Sequence, residues 1–370
     1  MAVPLLDLKA QHATIRDEVV AALMQVVDQQ AFILGDPVAQ LECHVAGLSQ
    51  VKYAAGCANG TDAILLALRA LGVGAGDEVI TTPFTFFATG GAIHNVGARP
   101  VFVDIDPKTY NIDPAQVTPA ITSRTKAVIA VDLFGQMAPI EQVAAAAQGL
   151  PVIEDAAQSI GASRLIDGRK VMAGEASAIG TYSFFPSKNL GGYGDGGMMV
   201  TQDEALFEAL MKLRTHGSRR TYYHEIVGYN SRLDALQAAV LLAKLPHLEG
   251  WSAARRRNAA YYDSAFVNLA EVTTPFVDPA NTSIYNQYTI RVTQRDALQA
   301  HLKAQGIGSN VYYPLPLHLQ PCFAYLGYHE GQCPEAERAS KEVLSLPIYP
   351  ELTTAQLDEV IAAVRGFFGH

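Results

Sequence analysis

The stretch Thr181 to Gly197 reads TYSFFPSKNLGGYGDGG. An apolar run, Ser177 to Phe185, leads into it and has the length and composition of a buried strand. A single lysine, Lys188, follows two aromatics, a proline and a serine, and the chain then turns through Gly191, Gly192, Gly194, Gly196 and Gly197. Most lysines are solvated, but Phe184, Phe185 and Pro186 describe a buried turn. Burial disfavours the ammonium and leaves a nucleophilic amine. The glycines fit neither GxxxxGK[ST] nor a GxGxxG that follows a strand and opens a helix, so they are read as turn formers.

Two further apolar runs precede this stretch. VIAVDLFG (Val128 to Gly135) and VIEDAA (Val152 to Ala157) both end in polar or small residues. Asp155 closes the second. A strand-end Asp is often only a turn cap. Paired with a lysine at another strand end, it matches a known chemistry. The amine can hold pyridoxal phosphate as a Schiff base, and the carboxylate can keep the pyridine nitrogen protonated so that the ring draws electrons. Gln158 is placed to hydrogen-bond the ring's phenolic oxygen.

Working outward, the same strand-and-helix alternation fills most of the chain. Lys52–Ala58 reads as a strand and runs into a helix from Thr61 to Leu71. Then come strand EVITTP, helix FFATGGAIHNVG, strand ARPVFVDI, strand KAVIAVDLF, helix IEQVAAAAQG and strand LPVIEDAA. This order predicts an α/β fold with a mostly parallel sheet, whose sites lie at the carboxyl ends of the strands. Asn59, Asp155 and Lys188 all follow strands. Asn59-Gly60-Thr61 is an ordinary helix cap and also a phosphate seat made of helix N-terminal amides. The Ser183 hydroxyl is a candidate second phosphate ligand, and Phe86, otherwise a core aromatic, can stack on a cofactor ring.

Flanking this core, Leu8–Gln30 has helical spacing at Ile15, Val19, Leu23 and Val26, and Pro37–Leu48 makes a second helix. Asp203–His216, Ala235–Leu245 and Glu249–Leu269 read as helices. Beyond Val272 the pattern becomes α+β: strand Asn286–Val292, helix Gln294–Gln305, strand Ile307–Tyr313, then helices Glu335–Leu344 and Thr353–Phe368. The expected division is an N-terminal helix, residues 1–30, packing with the small domain, a large cofactor-binding domain, 31–247, and a small C-terminal domain, 248–370.

Of the 370 residues 49% are hydrophobic and 17% charged, with a formal charge of −9, which disfavours a nucleic-acid binder. The four cysteines, Cys43, Cys57, Cys322 and Cys333, show no CxxC spacing, so neither a metal site nor a disulfide framework is expected, and free thiols fit a reducing cytoplasm. No signal peptide or membrane span is read.

Taken in order, FILGDPVAQLE, CANGTDA, GDEVITTPFTFFAT, PVFVDIDPKTYNID, VIEDAAQSIGA, SFFPSKNLGGYGDGG, YNSRLDALQAA and YYPLPLHLQP resemble the DegT/StrS family of nucleotide-sugar aminotransferases, pyridoxal-phosphate enzymes of fold type I. The closest likeness is to enzymes aminating carbon three of UDP-2-acetamido-3-keto sugars. The resemblance implies a large, mostly parallel seven-stranded sheet domain with a smaller α+β domain. It implies an internal aldimine at Lys188, a pyridoxamine phosphate intermediate, Asp155 as pyridinium partner, Gln158 and Phe86 on the ring, and Gly60, Thr61 and Ser183 on the phosphate. Asn230 would reach the cofactor phosphate of a neighbouring subunit, with Arg232 binding substrate there, which requires a homodimer with shared sites. Tyr312, Tyr313 and His318 fall in the substrate loop. L-glutamate would donate the amine and leave as 2-oxoglutarate, and a nucleotide-linked ketosugar would accept it, giving an amino sugar for lipopolysaccharide O-antigen or similar polysaccharide. The arginines Arg214, Arg219, Arg220 and Arg232 could offset the sugar's pyrophosphate. Alternatives are a dTDP-3-keto-6-deoxyhexose or a 4-keto sugar, a non-catalytic regulator of the same fold, and, more distantly, a dehydrogenase, against which the missing Rossmann fingerprint speaks.

Overall fold

The computed structural model describes residues 2–220 and 222–370. Met1, at the head of the expected N-terminal unit, and Thr221, in the polar loop before Asp234, lie outside the described residues. The chain opens with α1 (Leu8–Gln29) and α2 (Asp36–Leu48), then β1 (Tyr53–Cys57), α3 (Gly60–Ala70), β2 (Glu78–Thr81), α4 (Phe87–Asn95) and β3 (Arg99–Phe102). A short α5 (Val117–Ala120) precedes β4 (Thr125–Val131), α6 (Ile140–Ala146) and β5 (Val152–Asp155). The hairpin β6 (Ser163–Ile166) and β7 (Arg169–Met172) follows, then β8 (Ile179–Ser183), β9 (Gly197–Thr201) and α7 (Glu204–Leu213). The small hairpin β10 (Ser218–Arg220) and β11 (Tyr223–His224) leads to α8 (Ala235–Lys244) and α9 (Leu248–Phe266). The chain closes through β12 (Asn281–Thr282), β13 (Tyr288–Arg291), α10 (Arg295–Ala304), α11 (Pro334–Glu342), β14 (Val343–Leu346) and α12 (Thr354–Phe367).

The main sheet has seven strands in the order β1-β9-β8-β5-β4-β2-β3. The neighbours from β8 to β3 are parallel, and β9 runs against both β1 and β8. Both faces are covered, so the strands read as continuous apolar runs. Period-two alternation sorts them. Val79, Ala127, Ile129 and Ile153 join Leu66, Leu68, Ile93 and Leu210 from α3, α4 and α7 on one face. Ile80, Val128, Ala130 and Val152 join Leu41, Val45, Val143 and Leu241 from α2, α6 and α8 on the other. A second core gathers Tyr262 and Phe266 of α9, Tyr288 and Ile290 of β13, Leu344 and Leu346 of β14, and Leu357 and Val360 of α12.

Three departures from the sequence reading have local causes. Ile307–Tyr313 forms no strand. Ile307 and Asn310 make single bridges to Val3 and Ser345 before the prolines of the next segment. The expected helix Glu335–Leu344 stops at Glu342, because Val343 turns extended and starts β14, whose Leu344 and Leu346 enter the second core. The β6–β7 hairpin was open to detection in Asp167-Gly168, both in left-handed conformation, a preferred two-residue turn pair. As for α1, Ile15, Val19 and Val26 pack on Val240, Ala235 and Ala239 of α8, while Val3 and Leu6 ahead of it reach the second core.

Candidate active site

The strand ends collect the predicted residues. Asp155 is the last residue of β5, and by alternation it shares the face of Ile153, under α3 and α4. It is 5% exposed. Its Oδ2 accepts a 2.8 Å hydrogen bond from the Thr89 hydroxyl and its Oδ1 a 3.3 Å bond from the Ala157 amide. Burial raises the carboxyl's pKa; Thr89, Ala157 and the nearby Lys188 ammonium pull it back down. Thr89 is itself fully buried and shares a 3.0 Å hydrogen bond with Thr85, four residues earlier in the loop that leads into α4.

Lys188 sits in a turn closed by its own amide on the Phe185 carbonyl at 2.9 Å. Its ammonium forms no hydrogen bond or ion pair among the described residues. Desolvation lowers its pKa to about 8, against the partial support of Asp155. A half-buried, unpaired amine of that pKa is a nucleophile waiting for an electrophile.

The glycines make the seat. Gly197, the first residue of β9, pairs with Cys57 at the end of β1 on one side and with Ser183 at the end of β8 on the other. A Cβ on Gly197 would lie 2.3 Å from the Asn59 carbonyl oxygen. A Cβ on Gly60 would lie 2.6 Å from the Ser183 Cβ. Two strand ends and a helix start are thus drawn together at backbone distance. Asn59 caps α3 through a 2.8 Å bond to the Asp62 amide, leaving the Gly60 and Thr61 amides as open donors of the first turn. The Ser231 hydroxyl, in YNSRLD, accepts from the Ala58 amide at 3.2 Å and so ties that motif to the same corner.

On the opposite wall, Gln158 accepts from the Phe134 amide at 2.7 Å and donates to the Tyr313 hydroxyl at 3.2 Å. Burial pushes the Tyr313 phenol up, so it stays protonated. Its ring lies 6.3 Å from Phe86, which is 59% exposed at the start of α4, and 5.8 Å from Tyr312. Behind the site, Asp132 and Glu154 are fully buried carboxyls in mutual contact, each raised by burial. Asp132 accepts from the Ala138 amide and the Ser159 hydroxyl, both at 2.7 Å.

Lys188, Asp155, Gln158, Tyr313, Phe86, Gly60, Thr61 and Ser183 therefore converge. Asn230 is exposed and bonded through its backbone to Thr215; Arg232 is half-buried. His318 does not face the site. It is 1% exposed and bonds Glu337 at 3.0 Å, carried inward by Leu317, which packs with Phe102 and Phe323. Nor are the arginines a cluster. Arg214 is buried against Glu42 and the Gly56 carbonyl, Arg219 pairs with Glu208, and Arg220 lies 4.5 Å above the Tyr223 ring. Thr89 was missed in the sequence, though the Thr85–Thr89 spacing was its signal. Among the described residues no group of His, Cys, Asp or Glu could hold a metal, and no helix is long and apolar enough to cross a membrane.

Residues 13–365 match the DegT/DnrJ/EryC1/StrS aminotransferase family. The chain is 54% identical to a protein of Geobacillus stearothermophilus called a pleiotropic regulatory protein, over all of both chains. It is 47% identical to the UDP-N-acetyl-3-dehydro-alpha-D-glucosamine 3-aminotransferase of Acidithiobacillus ferrooxidans, over 98% of this chain and 97% of that one. It is 46% identical to the UDP-2-acetamido-2-deoxy-3-oxo-D-glucuronate aminotransferase of Pseudomonas aeruginosa, over 97% and 98%. Its backbone superposes with a TM-score of 0.96 on DesV of S. venezuelae, solved in complex with a ketimine intermediate, at 41% identity over 100% and 99% of the two chains.

Proposed function

The chain belongs to the DegT/DnrJ/EryC1/StrS aminotransferase family, and from that premise we propose that it transfers the amino group of L-glutamate to carbon three of a UDP-linked 2-acetamido-2-deoxy-3-keto sugar, the glucuronate form first. The two relatives that act on 3-keto UDP sugars support the substrate class. The observation that carries the chemistry is Lys188, a half-buried amine without a partner, facing a buried carboxylate across a glycine-walled seat.

The residues fit pyridoxal phosphate. The Gly60 and Thr61 amides with the Ser183 hydroxyl would hold its phosphate, Phe86 would cover its ring, and Lys188 would carry it covalently. Bound there, the cofactor supplies an electron sink for the carbon that loses a proton. Asp155, which accepts hydrogen bonds from Thr89 and the Ala157 amide, would hold a proton on the ring nitrogen. Lys188 Nζ would take the proton from the carbon bearing the amine and deliver it to the carbon on the other side of the nitrogen. Gln158 and Tyr313 act as one unit at the ring's polar edge, and Tyr312 faces the sugar. His318, closed in by Glu337, supports the loop from inside.

Asn230 and Arg232 would complete the site of a second copy. The segment around them carries exposed apolar side chains, Tyr222, Val227 and, through the Ile33–Asp234 bridge, Ile33, which a homodimer would cover. Residues 31–247 and 248–370 would be the two units between which substrate enters. A cytoplasmic site of action and a product destined for surface polysaccharide such as O-antigen complete the reading. The regulator named among the relatives does not change it, since a protein without chemistry has no use for an unpaired lysine of lowered pKa beside Asp155.

The test is an absorbance titration of the purified chain with pyridoxal phosphate, then glutamate, then ketosugars. Loss of the cofactor's visible band with glutamate and its return with UDP-2-acetamido-3-keto sugars is the expected result. Return only with a dTDP-6-deoxy ketosugar would move the pathway, and no band at all would end the catalytic assignment.

A further inference from the structure

A small cavity of about 40 Å³ lies beside the Lys188 turn. Its wall includes Ser187, Asn286, Gln287, Tyr312 and Arg255. Ser187 directly precedes Lys188, and Tyr312 directly precedes Tyr313, so the cavity borders the flank of the site. Arg255 is 3% exposed and comes from α9. Its Nη1 donates to the carbonyls of Tyr285 at 3.0 Å, Asn286 at 3.4 Å and Ile348 at 2.8 Å. Its Nε and Nη2 form no hydrogen bond among the described residues, and the guanidinium forms no ion pair there. Glu351 attracts it from a distance only. The side-chain oxygen of Gln287 is buried without a partner; rotating that amide would present two N–H donors instead.

A buried guanidinium without a counter-charge is costly. Here its free edge lines a cavity with room for more than the roughly 10–15 Å³ that a water needs. The planar fork of a guanidinium matches a carboxylate. The cavity is tied to the lysine turn by Asn286, whose amide donates to Asn189 Oδ1 at 2.7 Å, while Asn189 donates to the Ile284 carbonyl at 3.0 Å. In a productive complex the reacting atoms stand about 3–3.5 Å apart. The amino donor's α-carboxylate is attached to the carbon that bears the reacting amine, so it lies close to Lys188, and this cavity borders the turn that carries Lys188.

We propose that the cavity is a carboxylate subsite, with Arg255 binding the α-carboxylate of the amino donor. The inference rests on the aminotransferase reading above. Two carboxylates enter such a reaction, the donor's and a uronate acceptor's, and the half-reactions separate them.

The test uses the cofactor-loaded chain, its Arg255→Gln variant and, should that fold poorly, Gln287→Glu, which sets a negative charge on the same wall. Each half-reaction is followed alone by absorbance. Both variants should raise the glutamate concentration for half-maximal rate about tenfold to a hundredfold, the loss of a charge-assisted hydrogen bond. The ketosugar half-reaction should stay within about twofold of wild type by the same reasoning. Unchanged glutamate dependence in a responding enzyme, or equal losses in both halves, would overturn the subsite. A loss confined to the uronate half would overturn the donor assignment. A wild-type chain that ignores glutamate would instead overturn the aminotransferase reading, and this inference with it.

Discussion

Thr89→Val removes one hydroxyl from a fully buried position and keeps the side-chain shape. The lost bond is the 2.8 Å donation to Asp155 Oδ2, the shorter of the two bonds on that carboxylate. Hydrogen bonds to charged groups contribute about 1.5–3 kcal/mol, which corresponds to about 1–2 pKa units. The sign follows from the form being stabilised. Thr89 favours the ionised carboxylate, so its removal lifts a pKa that burial has already raised. Asp155 then protonates at a higher pH and ceases to hold the ring nitrogen's proton. The acid limb of the glutamate half-reaction should move up by about 1–2 units, and at fixed acidic pH the cofactor should bind about tenfold or more weakly. Thr85→Val should shift the limb less, because Thr85 reaches Asp155 only through Thr89. The assay is a pH series of half-reaction rates and cofactor titrations on the three proteins. An acid limb that stays in place in Thr89→Val would refute the claim that this hydroxyl sets the charge on Asp155.

Three further outcomes are expected. Gly60→Ala places a methyl 2.6 Å from the Ser183 Cβ, so the helix start must shift; cofactor affinity should drop roughly tenfold or more in an equilibrium titration, with a fall in the thermal stability of the apo chain as well. Arg214→Met strands Glu42 in the interior and should cost about 3–5 kcal/mol in urea denaturation, while leaving the ketosugar KM unchanged; a KM rise without destabilisation would restore Arg214 to the substrate. The apo chain should capture pyridoxal phosphate faster as pH rises, levelling off above about pH 8, because only the neutral Lys188 amine reacts and its pKa is lowered to about 8. An ordinary lysine would keep accelerating towards pH 10.4 or so.

Much of the site was readable because strand-end chemistry is local. Lys188, Asp155 and the Asn59-Gly60-Thr61 cap each carry their meaning within a few residues, and alternating strands and helices predict which end of the sheet they share. What failed was long-range. His318 sits in a stretch that promises a substrate loop, but its partner Glu337 and the cluster under Leu317 lie elsewhere in the chain. Arg214 looked like a cation for a pyrophosphate until Glu42, far upstream, was seen to consume it. Val343 and Leu344 kept a helical rhythm with α11, yet the open edge of β13 recruited them as a strand. Thr89 was legible in principle, since a threonine pair four apart on a helix start is unusual, but only Asp155 gives the pair a purpose.

The antiparallel strand β9 has a mechanical consequence. It begins at the edge of the sheet where its neighbours end, so the segment bearing Lys188 leaves β8 at Ser183 and comes back to the same edge at Gly197. The Phe184 amide bonds the Gly196 carbonyl, and the Gly192 amide bonds the Phe184 carbonyl, both at 2.8 Å. The lysine thus rides on a closed hoop whose feet stand side by side on the rigid slab that also bears Asp155. Asn189, within the hoop, also donates to the Ile284 carbonyl and accepts from Asn286, so the lysine's mount is tied to the C-terminal stretch as well. Lengthening the hoop by even one residue would alter the reach of the amine directly and pull on the bonds that Ile284, Asn286, Gln237 and Lys244 make to it.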